Sequence, residues 1–219
     1  MLDLPPIPVL LAILVVIFFG IGLHEYAHCK MADMAGDPTP RIYGRVTLNL
    51  TKHFEPLGTL MILLTSLTGV GIGWGKPAPM NPNNMRNPRW DAFAATAAGP
   101  LSNLVQATFF AVLLRVAATT GAFGSSQFLA ALLVYGVAIN LGLFLFNLIP
   151  LGPLDGHWLL GTFFPEPARQ RWYWWNQRYG SGLLLALILI GQLSRIPTIG
   201  LIIGPPHRAL FQLLTGMNF

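Results

Sequence analysis

Ile7-Pro8-Val9-Leu10-Leu11-Ala12-Ile13-Leu14-Val15-Val16-Ile17-Phe18-Phe19-Gly20-Ile21-Gly22-Leu23-His24-Glu25-Tyr26-Ala27-His28 is the stretch that decides the fold. From Ile7 to Leu23 it carries no charge, and about 20 apolar residues suffice for a helix to cross a bilayer. It then ends in H-E-x-x-H. Two histidines four apart on a helix share one face and can reach the same metal ion. The glutamate between them can accept a proton from a water that the metal activates. A hydrolytic metal site is therefore expected inside a membrane helix.

The composition points the same way. Of 219 residues, 53% are hydrophobic and 10% charged, with a mean hydropathy of +0.58; a soluble domain carries roughly 25% charged residues. The length suits a single membrane-embedded domain over 1–219, with a metal-site core at about 7–165 and a C-terminal helix region at about 166–219. The net charge of +5, from 13 basic and 8 acidic residues, reads as cytoplasmic loops. No basic stripe with interleaved aromatics is present, so nucleic acid is not an expected partner. Cys29 has no second cysteine to pair with. It is turned about 100° from His28 on a helix and reads as a packed small residue rather than a ligand. The N-terminal segment has Asp3 and no Lys or Arg, so it is expected to be a retained helix rather than a cleaved signal.

Further apolar stretches run over about 57–74, 91–119, 126–149 and 181–203. The second of the five, Leu57 to Trp74, is short and broken by Gly58, Gly69, Gly71 and Gly73. The last is interrupted at Ser194-Arg195-Ile196-Pro197, where a kink is expected. The β-branched, near-alternating run Arg41 to Leu50 reads as one or two short strands. Gly75-Lys76-Pro77-Ala78-Pro79-Met80-Asn81-Pro82 is too rich in proline for helix. Arg171-Trp172-Tyr173-Trp174-Trp175 resembles an interfacial aromatic belt. The fold expected is an all-α polytopic membrane protein: about four spanning helices, a re-entrant or interfacial hairpin, and a short β element.

A catalytic zinc normally has three protein ligands and an open position. Asp155 is the leading candidate for the third. It lies in Asn147-Leu148-Ile149-Pro150-Leu151-Gly152-Pro153-Leu154-Asp155-Gly156, where prolines break the helix and Gly156 permits unusual backbone. An acidic residue at membrane depth is costly enough to be functional by default. Two loop histidines near these motifs, His53 and His157, read as solvated residues.

The pairing of H-E-x-x-H with N-x-x-P-x-x-x-x-D-G resembles the site-2 protease family of intramembrane zinc metalloproteases. Ala98-Gly99-Pro100-Leu101-Ser102-Asn103 and the proline-rich 75–82 loop are similar to further elements of that family, and the resemblance covers roughly residues 15–165. It implies one zinc per chain held by His24, His28 and Asp155, with Glu25 as general base. Asn147 would orient the peptide or stabilise the tetrahedral intermediate. The implied activity is hydrolysis of peptide bonds in or near the transmembrane helices of membrane-protein substrates. The alternative is a non-proteolytic zinc-binding membrane protein, such as a pseudoprotease or metal transporter. Glu25 argues against it, because metal binding alone does not need that carboxylate.

Sharing one metal also constrains topology. His24 lies near the far end of the first span and Asp155 just past the far end of the 126–149 span. If 57–74 crossed, those ends would lie about 30 Å apart, so 57–74 is expected to dip in and return or to lie in the interface. Lys30, Arg41, Arg45, Lys52, Lys76, Arg86, Arg89, Arg169, Arg171 and Arg178 then share one side, Arg115 and Arg208 take the other, and Arg195 is ambiguous. The positive-inside rule makes the first side cytoplasmic. The expected location is the plasma membrane of a prokaryote, with the N-terminus outside and the site toward the cytoplasmic face. The 41–50 run would offer an edge to an extended substrate.

Overall fold

The computed structural model describes residues 4–68, 73–122, 124, 126–194 and 196–217. Gly69, Gly71 and Arg195 lie outside the described residues. The elements are α1 (Ile7–Met34), α2 (Thr39–Ile42), α3 (Pro56–Thr68), α4 (Trp90–Thr120), α5 (Gln127–Asn147), α6 (Asp155–Thr162), α7 (Ala168–Trp175), α8 (Ser181–Ser194) and α9 (Thr198–Thr215). Among the described residues three helices, α1, α4 and α5, are long and apolar enough to cross a membrane. A fourth span results if Ala168–Ser194 and Thr198–Thr215, bent by 92°, count as one. Among the described residues the fold is all-helical, and its apolar spans mark an integral membrane protein.

Local chemistry sets the ends of the spans. Proline occupies the first turn of α1, where its missing N–H costs nothing. The α4 helix stops on Gly121 in the left-handed conformation, and Ser126 caps α5 by accepting from the Leu129 N–H. Packing follows a four-residue rhythm. α1 buries Ala12, Val16, Gly20, His24, His28 and Ala32, and α4 buries Ala95, Gly99, Asn103, Ala107 and Ala111. Rows of residues four apart interlock as ridges and grooves, and small side chains let the two backbones approach. His28 meets Ala95 while His24 and Gly20 meet Asn103, so α1 and α4 are antiparallel. At the other end, Leu114, Leu133, Val137, Leu141 and Phe211 join α4, α5 and α9.

The α3 helix has 13 residues, roughly 20 Å at 1.5 Å per residue against an apolar core of about 30 Å. The chain after it returns beside it. The Lys76 N–H donates to the His53 carbonyl at 2.8 Å, Trp74 Nε1 donates to Glu55 Oε1 at 2.5 Å, and Gly73 lies against Ile62. Residues 73–76 thus lie beside α3 and the turn that precedes it.

The expected β element is not formed. Among the described residues there is no strand. Thr39–Ile42 is helical and Leu50–His53 is a 3-10 turn. A strand needs a partner for its backbone groups, and none lies beside this run. Within the run Arg45 is buried and donates to the Lys76 carbonyl at 2.6 Å and the Pro77 carbonyl at 3.2 Å. The aromatic cluster at 171–175 is divided: Trp172 and Tyr173 donate to the carbonyls of His157 and Trp158, while Trp174 is exposed.

Candidate metal centre

His24 and His28 stand one turn apart on α1, and Asp155 opens α6. Their Nε2 atoms are 3.0 Å apart, and Asp155 Oδ2 lies 3.3 Å from the first and 3.4 Å from the second. Among the described residues these are the His, Cys, Asp or Glu side chains grouped closely enough to hold an ion, with ligand atoms within 4.8 Å of one another. Cys29 is buried and outside the group.

The hydrogen bonds behind the ligands fix which nitrogens face the site. His28 Nδ1 donates to the Ala95 carbonyl at 2.8 Å, an acceptor that has no proton to give. His24 Nδ1 donates to Asn103 Oδ1 at 2.7 Å. Asn103 is held in that orientation because its Nδ2 donates to the Gly20 carbonyl and to Asn140 Oδ1, both at 3.0 Å. Asn140 in turn donates to the Gly136 carbonyl at 2.9 Å. Each imidazole thus carries its proton on Nδ1 and turns an Nε2 lone pair toward its partner and toward Asp155. The facing carboxylate oxygen, Asp155 Oδ2, is buried without a hydrogen-bond partner among the described residues. Such a cluster of lone pairs repels itself unless a cation sits among them. Two imidazole nitrogens and one carboxylate fit a catalytic zinc, which keeps its fourth position open, and the Nδ1 acceptors are the outer partners such ligands use.

Two glycines make the geometry possible. A Cβ at Gly99 would fall on the His28 imidazole and 2.8 Å from His24 Nε2. A Cβ at Gly156 would strike the Leu148 and Ile149 carbonyls, so only glycine lets α6 start against the end of α5. The loop between these helices is tied by Asn176, whose Oδ1 accepts from the Gly152 N–H at 2.8 Å. Asn176 begins a one-turn π-helix between α7 and α8, a distortion common at functional sites.

Glu25 lines a cavity of about 390 Å³ together with the three ligands, Asn147 and Trp158. Its Oε2 is buried and unpartnered among the described residues. Asn147 Nδ2 uses one N–H on the Leu143 carbonyl at 2.9 Å, which leaves the second for another acceptor. The proline-rich segment forming one wall is pinned by Asp37. This fully buried carboxylate accepts from the Asn81 N–H at 2.6 Å, the Thr39 N–H at 3.0 Å and Asn84 Nδ2 at 3.0 Å. Burial works against its charge, but these hydrogen bonds outweigh it and hold the carboxyl below the usual carboxylate range.

His53 and His157 are not solvated. His53 is fully buried, with Nε2 donating to the Thr47 carbonyl at 3.0 Å. Burial pushes its imidazole below the ordinary value, against that hydrogen bond and with the help of Arg45. His157 is buried with Nδ1 donating to the Leu154 carbonyl at 2.5 Å, and burial likewise lowers it. From the sequence Asn103 stands only as the last residue of the 98–103 motif, without a role, and Asn140 and Asn176 go unnoticed. For Asn103 and Asn140 the signal is an asparagine inside an apolar span, because such a buried group must be hydrogen-bonded; Asn176, in a polar stretch, gives no such signal.

Fold and site together describe a membrane protein in which two histidines and one carboxylate from separate helices are grouped closely enough to hold a metal ion. A protein of Bacillus subtilis (strain 168) with the name "Putative zinc metalloprotease YwhC" is 33% identical over 187 residues, which cover 84% of this chain and 82% of that protein. The chain belongs to the same family, which that name describes as zinc metalloproteases. No family profile matches the chain, and no solved structure matches it.

Proposed function

We propose that this protein is an intramembrane zinc metalloprotease of the site-2 type, hydrolysing peptide bonds in or near the transmembrane helices of other membrane proteins. The observation that carries this reading is the convergence of His24, His28 and Asp155 beside the unpartnered carboxylate of Glu25, on a helix long and apolar enough to span a bilayer. Zinc, when bound, supplies Lewis acidity and lowers the pKa of a coordinated water toward about 7. Glu25 accepts the proton of the attacking water. The water oxygen ends on the carbonyl carbon, the C–N bond breaks, and Glu25 returns the proton to the leaving nitrogen. Asn147 gives its second N–H to the substrate carbonyl as charge builds there. A substrate helix hides its backbone in its own hydrogen bonds and must unwind before attack.

The basic residues clustered at the metal-site end of the bundle support a site toward the cytoplasmic face of a prokaryotic plasma membrane. The test is Glu25→Gln in purified protein, with cleavage of a single-span reporter and zinc content measured side by side. Cleavage should fall by about 10²–10⁴-fold with zinc retained. A fully active variant would remove Glu25 from the mechanism, and zinc without turnover in the native protein would favour the non-proteolytic alternative.

A further inference from the structure

The metal-site cavity shares walls with two neighbours of opposite character. Through Ile21, Gly73, Leu143 and Phe146 it shares a wall with a larger cavity of about 690 Å³. Through Ala78, Met80, Thr96 and Trp158 it shares a wall with a cleft of about 400 Å³. The two neighbours have no lining residue in common, so the metal centre lies between them. The larger one is walled by Ile17, Ile62, Ile139, Ile188 and Ile203, from α1, α3, α5, α8 and α9. The other holds Arg89 and Arg169. Arg89 donates to the Thr162 carbonyl from Nε at 2.9 Å and Nη2 at 2.7 Å, and no carboxylate pairs with it among the described residues. Arg169 pairs with the exposed Glu166.

We propose that the substrate is a membrane protein whose apolar span ends in an acidic juxtamembrane stretch. The end of the span lies in the isoleucine-walled cavity, the acidic stretch lies against Arg89 and Arg169, and the scissile bond lies between them at the metal centre. This rests on the protease reading above. Charge complementarity selects the occupant: the cationic cleft and the apolar cavity lie on opposite sides of the metal centre, which suits a polypeptide that runs through the site from an apolar segment to an acidic one. Gly142 is the size gauge of the apolar end, because a Cβ there meets nothing within 4 Å and projects into the open cavity.

The test uses the full-length protein in proteoliposomes with three single-span reporters that differ only in a juxtamembrane run of Asp, Asn or Lys. Native protein should cleave the Asp reporter fastest, by about two- to fivefold per engaged charge over Asn. Arg169→Glu should reverse the order in favour of Lys, which a merely structural role for Arg169 would not do. Gly142→Phe should slow every reporter at least about tenfold while zinc per chain is unchanged, in keeping with steric exclusion from a filled pocket. If Gly142→Phe loses zinc, the charge-swap arm decides alone. Equal cleavage of all three reporters by the native protein overturns this inference and leaves the protease reading standing. Gly142→Phe at native rate assigns the apolar cavity to lipid and overturns it too. No cleavage of any reporter removes the protease reading beneath it.

Discussion

Asn103→Ala should weaken zinc binding although the residue touches no metal. In the native fold Asn103 is fully buried and takes the proton-bearing nitrogen of His24 at 2.7 Å. Removing its side chain leaves that N–H without an acceptor and frees the imidazole to rotate or to change tautomer. It also strands Asn140 Oδ1, served at 3.0 Å, while the Gly20 carbonyl loses its second donor and keeps its bond within α1. Loss of an outer-shell partner costs about 10–100-fold in metal affinity, which is about 1.4–2.7 kcal/mol. Each stranded buried group costs a further ~1–3 kcal/mol of stability. The second effect must be separated from the first, and Asn140→Ala does so. That change also breaks the Asn pair, but it leaves His24 bonded to Asn103, so stability should fall while zinc affinity moves by less than about threefold, short of the outer-shell range. The assay is zinc competition against a chromophoric chelator in detergent, paired with thermal unfolding. Unchanged affinity in Asn103→Ala, or equal weakening in both variants, would refute the reasoning.

Asp37→Asn should loosen the wall of the site, since the carboxylate that gathers the Asn81, Thr39 and Asn84 donors becomes an amide with one acceptor oxygen. Because the folded carboxyl sits below its ordinary value, its contribution is present above an unfolded pKa of about 3.9 and is lost as pH falls through the folded value. The melting-temperature gap between native protein and Asp37→Asn should therefore be full near neutrality and close in acid; a gap that widens on acidification would contradict the assignment. For topology, cysteines placed at Lys52 and Asn84 should react with an impermeant thiol reagent from the same side of the membrane. Reaction from opposite sides would mean that the intervening hairpin crosses.

The spans were legible because α1, α4 and α5 are apolar runs of sufficient length, and periodicity needs no knowledge of neighbours. The grouping of His24, His28 and Asp155 was legible because H-E-x-x-H is set by local helix geometry and the aspartate motif has its own prolines and glycine. What escaped depends on long-range register. Asn103 lies 79 residues from His24 and 37 from Asn140, and only the packing of α1 on α4 and α5 brings them together. Arg45 read as part of a strand because its true partners, the Lys76 and Pro77 carbonyls, lie 31 and 32 residues away. His53 and His157 looked solvated for the same reason: a polar residue in a loop declares its burial only once the loop has folded inward.

The central claim is that one zinc is held jointly by a helix of the first span and an aspartate beyond the third. X-ray absorption at the zinc edge, on purified protein with metal content measured per chain, tests it most directly. The account predicts one zinc with two imidazole nitrogens and oxygen donors at about 2.0–2.2 Å, with occupancy that collapses in Asp155→Ala. A sulfur donor, whether the Cys29 thiolate or a methionine thioether, or a fully occupied unchanged site in Asp155→Ala, would contradict it.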